Sequence, residues 1–220
     1  MSVRMLRGKS AVALSDDELA ARLDGYARIA LDLGAGDAKA ALRLARSRPE
    51  TLVIAVDATP DAMLPQAVRS LRKPARGGAD NIVFLVADAA ALPHALDGRV
   101  AELTVTLPWA SLLRAIVLAE DAFLAPVRRV LRDGGRLTIV LNLDALRERA
   151  PRDYADLPCV DAAYAETVLA PRFAAHGLRI HEARELADAE KLGVGSAWAK
   201  RLTQARRPAF LRLEATATAR

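Results

Sequence analysis

The run Leu31-Asp32-Leu33-Gly34-Ala35-Gly36-Asp37 joins an apolar stretch, RIALDL, to a segment with helical spacing, and it places a carboxylate at each end of a two-glycine loop. In a doubly wound α/β sheet such a loop opens onto the crevice beyond the strand ends, where ligands bind. Gly34 and Gly36 let the backbone approach a ligand closely. A dinucleotide fingerprint needs a third glycine where this chain has Lys39, and Asp32 and Asp37 would repel a pyrophosphate. NAD is disfavoured on both grounds. Two carboxylates suit a cationic ligand instead, such as the amino-acid part of S-adenosylmethionine with its ammonium and sulfonium. Asp57, followed by Ala58, closes the second apolar run and can accept from both hydroxyls of a ribose. Asp88, preceded by Ala87, closes the third run and can accept from an adenine amino group while neighbouring backbone reads the ring. Taken singly, each residue also reads as a helix cap or turn. Their recurrence at successive strand ends is what points to a nucleoside-bearing ligand.

These loops need a parallel sheet to hold them, and the chain supplies its strands. From Arg28 short apolar runs alternate with helical segments: RIALDL, a helix near 37–47, TLVIAVD, a helix near 60–73, NIVFLVAD, VAELTVTL, a helix near 119–132, and RLTIVLNL. Strand after helix after strand predicts a parallel sheet covered on both faces. Beyond it come a helix near 161–176, the strand-like LRIHEAREL, a short helix near 197–205 and a last strand, FLRLEATAT. The expected fold is α/β and Rossmann-like: one domain over 1–220, with seven mostly parallel strands and an antiparallel last strand. Residues 1–27 form an N-terminal extension, possessing a capping box at Ser15-Asp16-Asp17-Glu18 that starts a helix running through about Leu23. The first ten to fourteen residues read as a preface or small hairpin. Residues 144–160, polar and interrupted by proline, read as an inserted functional loop.

Composition narrows the class. With 220 residues, 52% hydrophobic and 27% charged, the chain is neither disordered nor of low complexity. One cysteine, Cys159, excludes an internal disulfide framework and a Cys-rich zinc site, and His94, His176 and His181 are too scattered for a metal motif. MSVRMLRGKS is not followed by an apolar signal region and no stretch reaches membrane-span length, so a cytoplasmic protein without membrane or metal partners is expected. Of 32 basic and 27 acidic residues, six basic and one acidic lie from Lys200 onward, so the whole surplus of +5 is C-terminal. That cluster reads either as a polyanion contact or as a solvated face.

Four segments together resemble a known family. LDLGAGDAK, KPARGGADNIVF, LPWASLL and SAWAKRL occur in the order and spacing of the aminoglycoside-resistance methyltransferases of the kanamycin–apramycin type, which modify N1 of a decoding-site adenine in 16S rRNA. The first segment is shared by most S-adenosylmethionine methyltransferases. The others, read as KPxxGG, PW-x-[ST]-LL and W-x-[KR]-R, are far more specific. The resemblance implies a class I S-adenosylmethionine-dependent fold acting on the 30S subunit as a monomer. It places Trp109 and Trp198 on either side of a flipped adenine, with Pro108 beside the base and Ser196 orienting the Trp198 loop. Thr106, Leu107 and Ser111 fall on the cofactor side. Enzymes that methylate exocyclic amines carry an [DNS]-P-P-[FYW] motif where this chain has Thr106-Leu107-Pro108-Trp109. N1 of adenine has a free lone pair and needs no base, so positioning supplies most of the catalysis.

The resemblance also assigns rRNA docking to three basic stretches. Arg69, Arg72, Lys73 and Arg76 fall at near-helical spacing and are expected to face one phosphate groove. Arg149 and Arg152 in the long loop form a second area, and Lys200, Arg201, Arg206 and Arg207 a third. The chain departs from relatives at Ala90, where several carry Glu, and at Pro208, a basic position in one branch. Rival readings are a methyltransferase for tRNA or a small molecule, which has no need of both tryptophans, and a ribosome-binding homologue that has lost catalysis.

Overall fold

The computed structural model describes residues 2–146, 154, 156–186 and 209–219. Strands β3 (Arg28–Leu33), β4 (Thr51–Asp57), β5 (Ile82–Val86), β6 (Val100–Thr106) and β7 (Leu131–Asn142) pair in parallel. β9 (Phe210–Ala217) lies antiparallel between β7 and β8 (Leu178–Leu186). The inner strands are apolar without alternation because both faces are covered: every residue of Ile82–Val86 is buried, as are the first six of β4.

The seven expected strands are present, with the last antiparallel, but the sheet has nine. Its order is β2-β1-β5-β4-β3-β6-β7-β9-β8. The N-terminal hairpin, β1 (Ser2–Arg7) and β2 (Ser10–Ser15), is more than a preface: β1 pairs antiparallel with β5, Arg4 opposite Val86 and Leu6 opposite Phe84. This pairing satisfies the edge of β5 that would otherwise stay open. Met5, Leu6 and Leu14 join the buried core.

A side-chain cap sets the start of α1, whereas α2 to α5 begin without one and are placed by their apolar faces. α1 (Asp16–Asp24) has the complete capping box: Glu18 N–H donates to Ser15 Oγ at 3.2 Å and Ser15 N–H donates to Glu18 Oε2 at 2.8 Å. α2 (Lys39–Ser47), α3 (Pro60–Ser70), α4 (Ala110–Val117) and α5 (Asp121–Val130) pack against the sheet. α6 (Ala162–Tyr164) and α7 (Ala170–Ala175) are joined by a π-helical turn, Ala165–Leu169. α4 is absent from the sequence expectation because Pro108 and Trp109 read there as loop.

α3 stops at Ser70 rather than near 73, which corrects the basic stretch as well. Only Arg69 is on the helix; Arg72 and Lys73 lie in the following turn and Arg76 ends a 3-10 turn, Pro74–Arg76. The chain then folds back, with Ala79 N–H bonded to Ser70 O at 3.0 Å. Gly78 permits the crossing: a Cβ there would lie 1.7 Å from Arg72 O. The glycines of KPARGG thus serve the turn, and the four cations do not share a helix face. The expected helix near 197–205, with Ser196, Trp198, Lys200, Arg201, Arg206 and Arg207, lies outside the described residues, as do Arg149 and Arg152. Among the described residues no helix is long and apolar enough to cross a membrane.

Candidate functional site

One cleft of about 510 Å³ opens at the C-terminal ends of β3, β4, β5 and β6, a size suited to a small-molecule ligand. It brings together Asp32, Gly34, Gly36, Asp37, Asp57, Ala58, Ala87, Asp88, Thr106, Leu107, Pro108, Trp109 and Ser111. The sequence points to all of these, from four separate strand ends. Thr59, Leu112, Glu120 and Phe123 also line it and are not marked; Thr59 alone has a local signal, its place two residues after Asp57 in an Asx turn.

The glycine loop is a closed piece of backbone. Gly34 and Ala35 N–H donate to Val56 O at 2.8 and 3.0 Å, and Gly36 N–H donates to Asp57 Oδ2 at 2.9 Å. Three successive amides are therefore spent inside the protein, whereas a pyrophosphate cradle needs them free. Gly34, at φ 72°, sits where a Cβ would come within 2.7 Å of Leu112 Cδ2. Gly36 has nothing within 4 Å of that position, which leaves open space above the loop.

The carboxylates are not equivalent. Asp37 lines the cleft with its Oδ2 accepting from Lys39 Nζ at 2.8 Å, so its charge is shared with that lysine. Asp57 holds Gly36 with one oxygen and Thr59 N–H, at 2.8 Å, with the other, which fixes the carboxylate while leaving each oxygen a second lone pair. Asp88 accepts from Ala90 N–H at 2.8 Å and caps the turn Ala89–Ala91. Asp32 differs from all three. It is buried, has no cationic partner among the described residues, and its best polar neighbour is the Thr104 hydroxyl at 3.4 Å. Burial, reinforced by the charges of Asp57 and Asp37 against the Thr104 hydrogen bond, raises its pKa to about 6. A buried carboxylate with no counter-charge, lining a cleft, fits a ligand that brings a cation.

The opposite wall is held under strain. Leu107 at φ 53° and Ala110 at φ 50° bracket Pro108-Trp109, and left-handed backbone costs a non-glycine residue about 1–2 kcal/mol. Leu107 N–H is tied to Val140 O at 2.8 Å. Ala110 N–H, one of the amides a helix start leaves unpaired, donates to the Tyr154 hydroxyl at 2.7 Å. Tyr154 also packs edge-on against Trp109, ring centroids 5.2 Å apart and planes at 89°. The neighbouring Asp156 pairs with the Arg114 guanidinium on α4, Nη1 to Oδ1 at 3.0 Å. Trp109 itself is 48% exposed at the cleft rim; a tryptophan serving the core would be covered. Nothing local in the sequence marks Tyr154, because its hydrogen-bond partner Ala110 lies 44 residues away. The 144–160 segment is not merely polar loop either, since Leu146, Tyr154, Leu157 and Val160 belong to the core.

Known proteins share this architecture. The family model described as NpmA, 16S rRNA (adenine(1408)-N(1))-methyltransferase, matches residues 4–217. A 16S rRNA (adenine(1408)-N(1))-methyltransferase of Streptoalloteichus tenebrarius is 35% identical over 204 residues, 93% of this chain and 94% of that protein. One from Escherichia coli is 28% identical over 213 residues, covering 95% and 96%. A crystal structure of the Catenulisporales acidiphilia enzyme, a tryptophan-to-alanine mutant with cosubstrate SAM, superposes with a TM-score of 0.89 at 35% identity over 99% of this chain and 97% of that one. The 16S rRNA methyltransferase KamB superposes with a TM-score of 0.89 at 34% identity, covering 98% and 100%. With nearly its whole length matched in sequence and in backbone, the chain belongs to the 16S rRNA (adenine(1408)-N(1))-methyltransferase family.

Proposed function

We propose that this protein methylates N1 of adenine 1408 of 16S rRNA in the assembled 30S subunit, using S-adenosylmethionine, and thereby gives resistance to aminoglycosides that pair with that adenine. The observation that carries the reading is the half-exposed indole of Trp109 on a strained turn at the rim of a carboxylate-lined cleft. S-adenosylmethionine supplies a methyl group on a sulfonium when bound. Asp32 meets the ligand's positive charge, Asp57 the ribose hydroxyls and Asp88 the adenine edge, while the open space over Gly36 admits the ligand backbone.

The target nitrogen is hidden in a paired helix, so the nucleotide has to leave the stack. Trp109 offers it a new stacking face, with Trp198 the expected second face. Base-on-aromatic stacking contributes about 1–3 kcal/mol, against an unstacking cost of a few. No side chain has to remove a proton, because the N1 lone pair is free to attack; holding the base at the right distance and angle is the protein's contribution. Methylation blocks the pairing edge and adds a positive charge to the base, and both oppose drug binding. Reverse transcription on 30S subunits treated with enzyme and S-adenosylmethionine tests this: a new stop at adenine 1408 is expected, and unhindered read-through overturns it.

A further inference from the structure

Among the described residues some arginines are ion-paired and others are not. Arg28, Arg48 and Arg136 all pair with Glu102, and Arg99 and Arg128 pair with Asp24 and Asp133. Three of the arginines without an ion pair meet beside the N-terminal hairpin. Arg7 on β1, Arg22 on α1 and Arg72 in the turn after α3 line one groove of about 320 Å³, and none has an ion pair among the described residues. Glu18, one turn from Arg22, is occupied by Ser15 and feels Arg22 only through its charge. Asp80 is the one acidic residue along the groove. Lys9 in the hairpin turn and Lys73 beside Arg72 are exposed and likewise without ion pairs among the described residues.

The hairpin and the turn form one continuous surface. Gly8, at φ 64° in the hairpin turn, lies against the turn after α3: a Cβ on it would be 3.2 Å from Leu71 Cδ1. Leu71 lines the groove and is 64% exposed. Three arginines against the single carboxylate of Asp80 leave the groove net positive, a charge that a bound polyanion offsets. A single small anion needs only convergent donors. Here Lys9 and Lys73 add exposed cations beyond the residues that line the groove, and an exposed leucine among them suits the apolar face of a sugar.

We propose that the groove between the N-terminal hairpin and the turn after α3 is a docking site for the phosphodiester backbone of 16S rRNA, with Arg7 and Arg22 as phosphate contacts. This rests on the rRNA reading above and extends it to residues outside the three basic stretches. The groove uses the Ile82 end of β5, whereas the cleft lies beyond the Val86 end, about one strand length away. Docking and cofactor binding are therefore separable.

The test is the full-length double variant Arg7→Ala/Arg22→Ala, with Arg7→Glu/Arg22→Glu as the stronger form. Affinity for 30S subunits is measured across monovalent salt, alongside S-adenosylmethionine affinity by calorimetry, Tm, and KM and kcat for methylation. The alanine pair is expected to weaken 30S binding about tenfold and to lower the slope of log K against log salt by about 2, one per lost phosphate contact. KM rises while kcat, cofactor affinity and Tm hold. An affinity within twofold of wild type, or an unchanged salt slope, overturns the groove, and so does a fall in Tm or cofactor affinity that tracks the loss of binding, since the arginines would then be braces. Wild-type protein that binds 30S subunits without methylating them rejects the proposed reaction, and the binding arm still decides the groove.

Discussion

The two walls of the cleft are built on opposite principles. On the glycine-loop side, every strained position that reaches the ligand space is a glycine and the amides of Gly34, Ala35 and Gly36 are spent on β4. On the Pro108–Trp109 side, left-handed backbone falls on Leu107 and Ala110, and the compensation comes from Val140 and from Tyr154, far along the chain. The first wall is closed by its own backbone and leaves Asp32 buried with no counter-charge among the described residues. The second holds an aromatic ring at the surface by contacts that could be released. Such a division suits a site whose cofactor half works in any methyl transfer and whose other half is specific to the base.

Removing the indole gives the sharpest contrast. Trp109→Ala is expected to lower methylation of 30S subunits about 10- to 100-fold, the equivalent of about 1–3 kcal/mol of lost stacking. S-adenosylmethionine affinity, which depends on the other wall, stays within about twofold. An equal loss of both would dissolve the distinction between the walls.

The cofactor wall answers to pH. The pKa of Asp32 is raised to about 6 from an ordinary 3.8, so in the ligand-free protein the ionised form is disfavoured. Stability contributed by the protonated carboxyl is full below the unfolded value and lost as pH rises from about 4 to 6, a cost of about 3 kcal/mol at neutral pH. A cationic ligand needs the ionised form and repays that cost. Its affinity is therefore expected to be level above about pH 6 and to fall about tenfold per unit below it, with protons released on binding near pH 6. Calorimetry in buffers of different ionisation enthalpy measures both, and Asp32→Asn should bind more weakly at neutral pH and lose the dependence. A flat profile in the wild-type protein would show that Asp32 does not face the cation.

The same division explains what could be read in the sequence. Asp32, Gly34, Gly36, Asp57 and Asp88 stand at the ends of apolar runs, and the parallel fold brings strand ends together, so local pattern placed that wall residue by residue. Ser15 and Glu18 announced α1 for the same reason, since a capping box is closed within four residues. What local pattern lacked was any long-range partner. Asp37 reads as a free carboxylate until Lys39 is seen to turn back on it. The basic stretch reads as a helix face until Gly78 folds the chain over the 70–72 turn. The hairpin reads as a preface until β1 meets the edge of β5.

Tyr154 provides the finest test of the second wall, because its two contributions can be removed separately. Tyr154→Phe keeps the ring edge against Trp109 and deletes only the acceptor for Ala110 N–H. A lost hydrogen bond of this kind is worth about 0.5–1.5 kcal/mol, so kcat on 30S subunits is expected to drop about 2- to 10-fold with cofactor affinity unchanged. The amide of Ala110 should exchange with solvent faster, a signature that general loosening of the core would not confine to one residue. Tyr154→Ala removes the ring as well and, with the residue buried in the core, lowers overall stability by about 3–5 kcal/mol. It is therefore the phenylalanine variant that decides the matter. If that variant keeps both its turnover and the protection of Ala110, the strain at positions 107 and 110 is held by the sheet alone, and the two walls differ less than their backbones suggest.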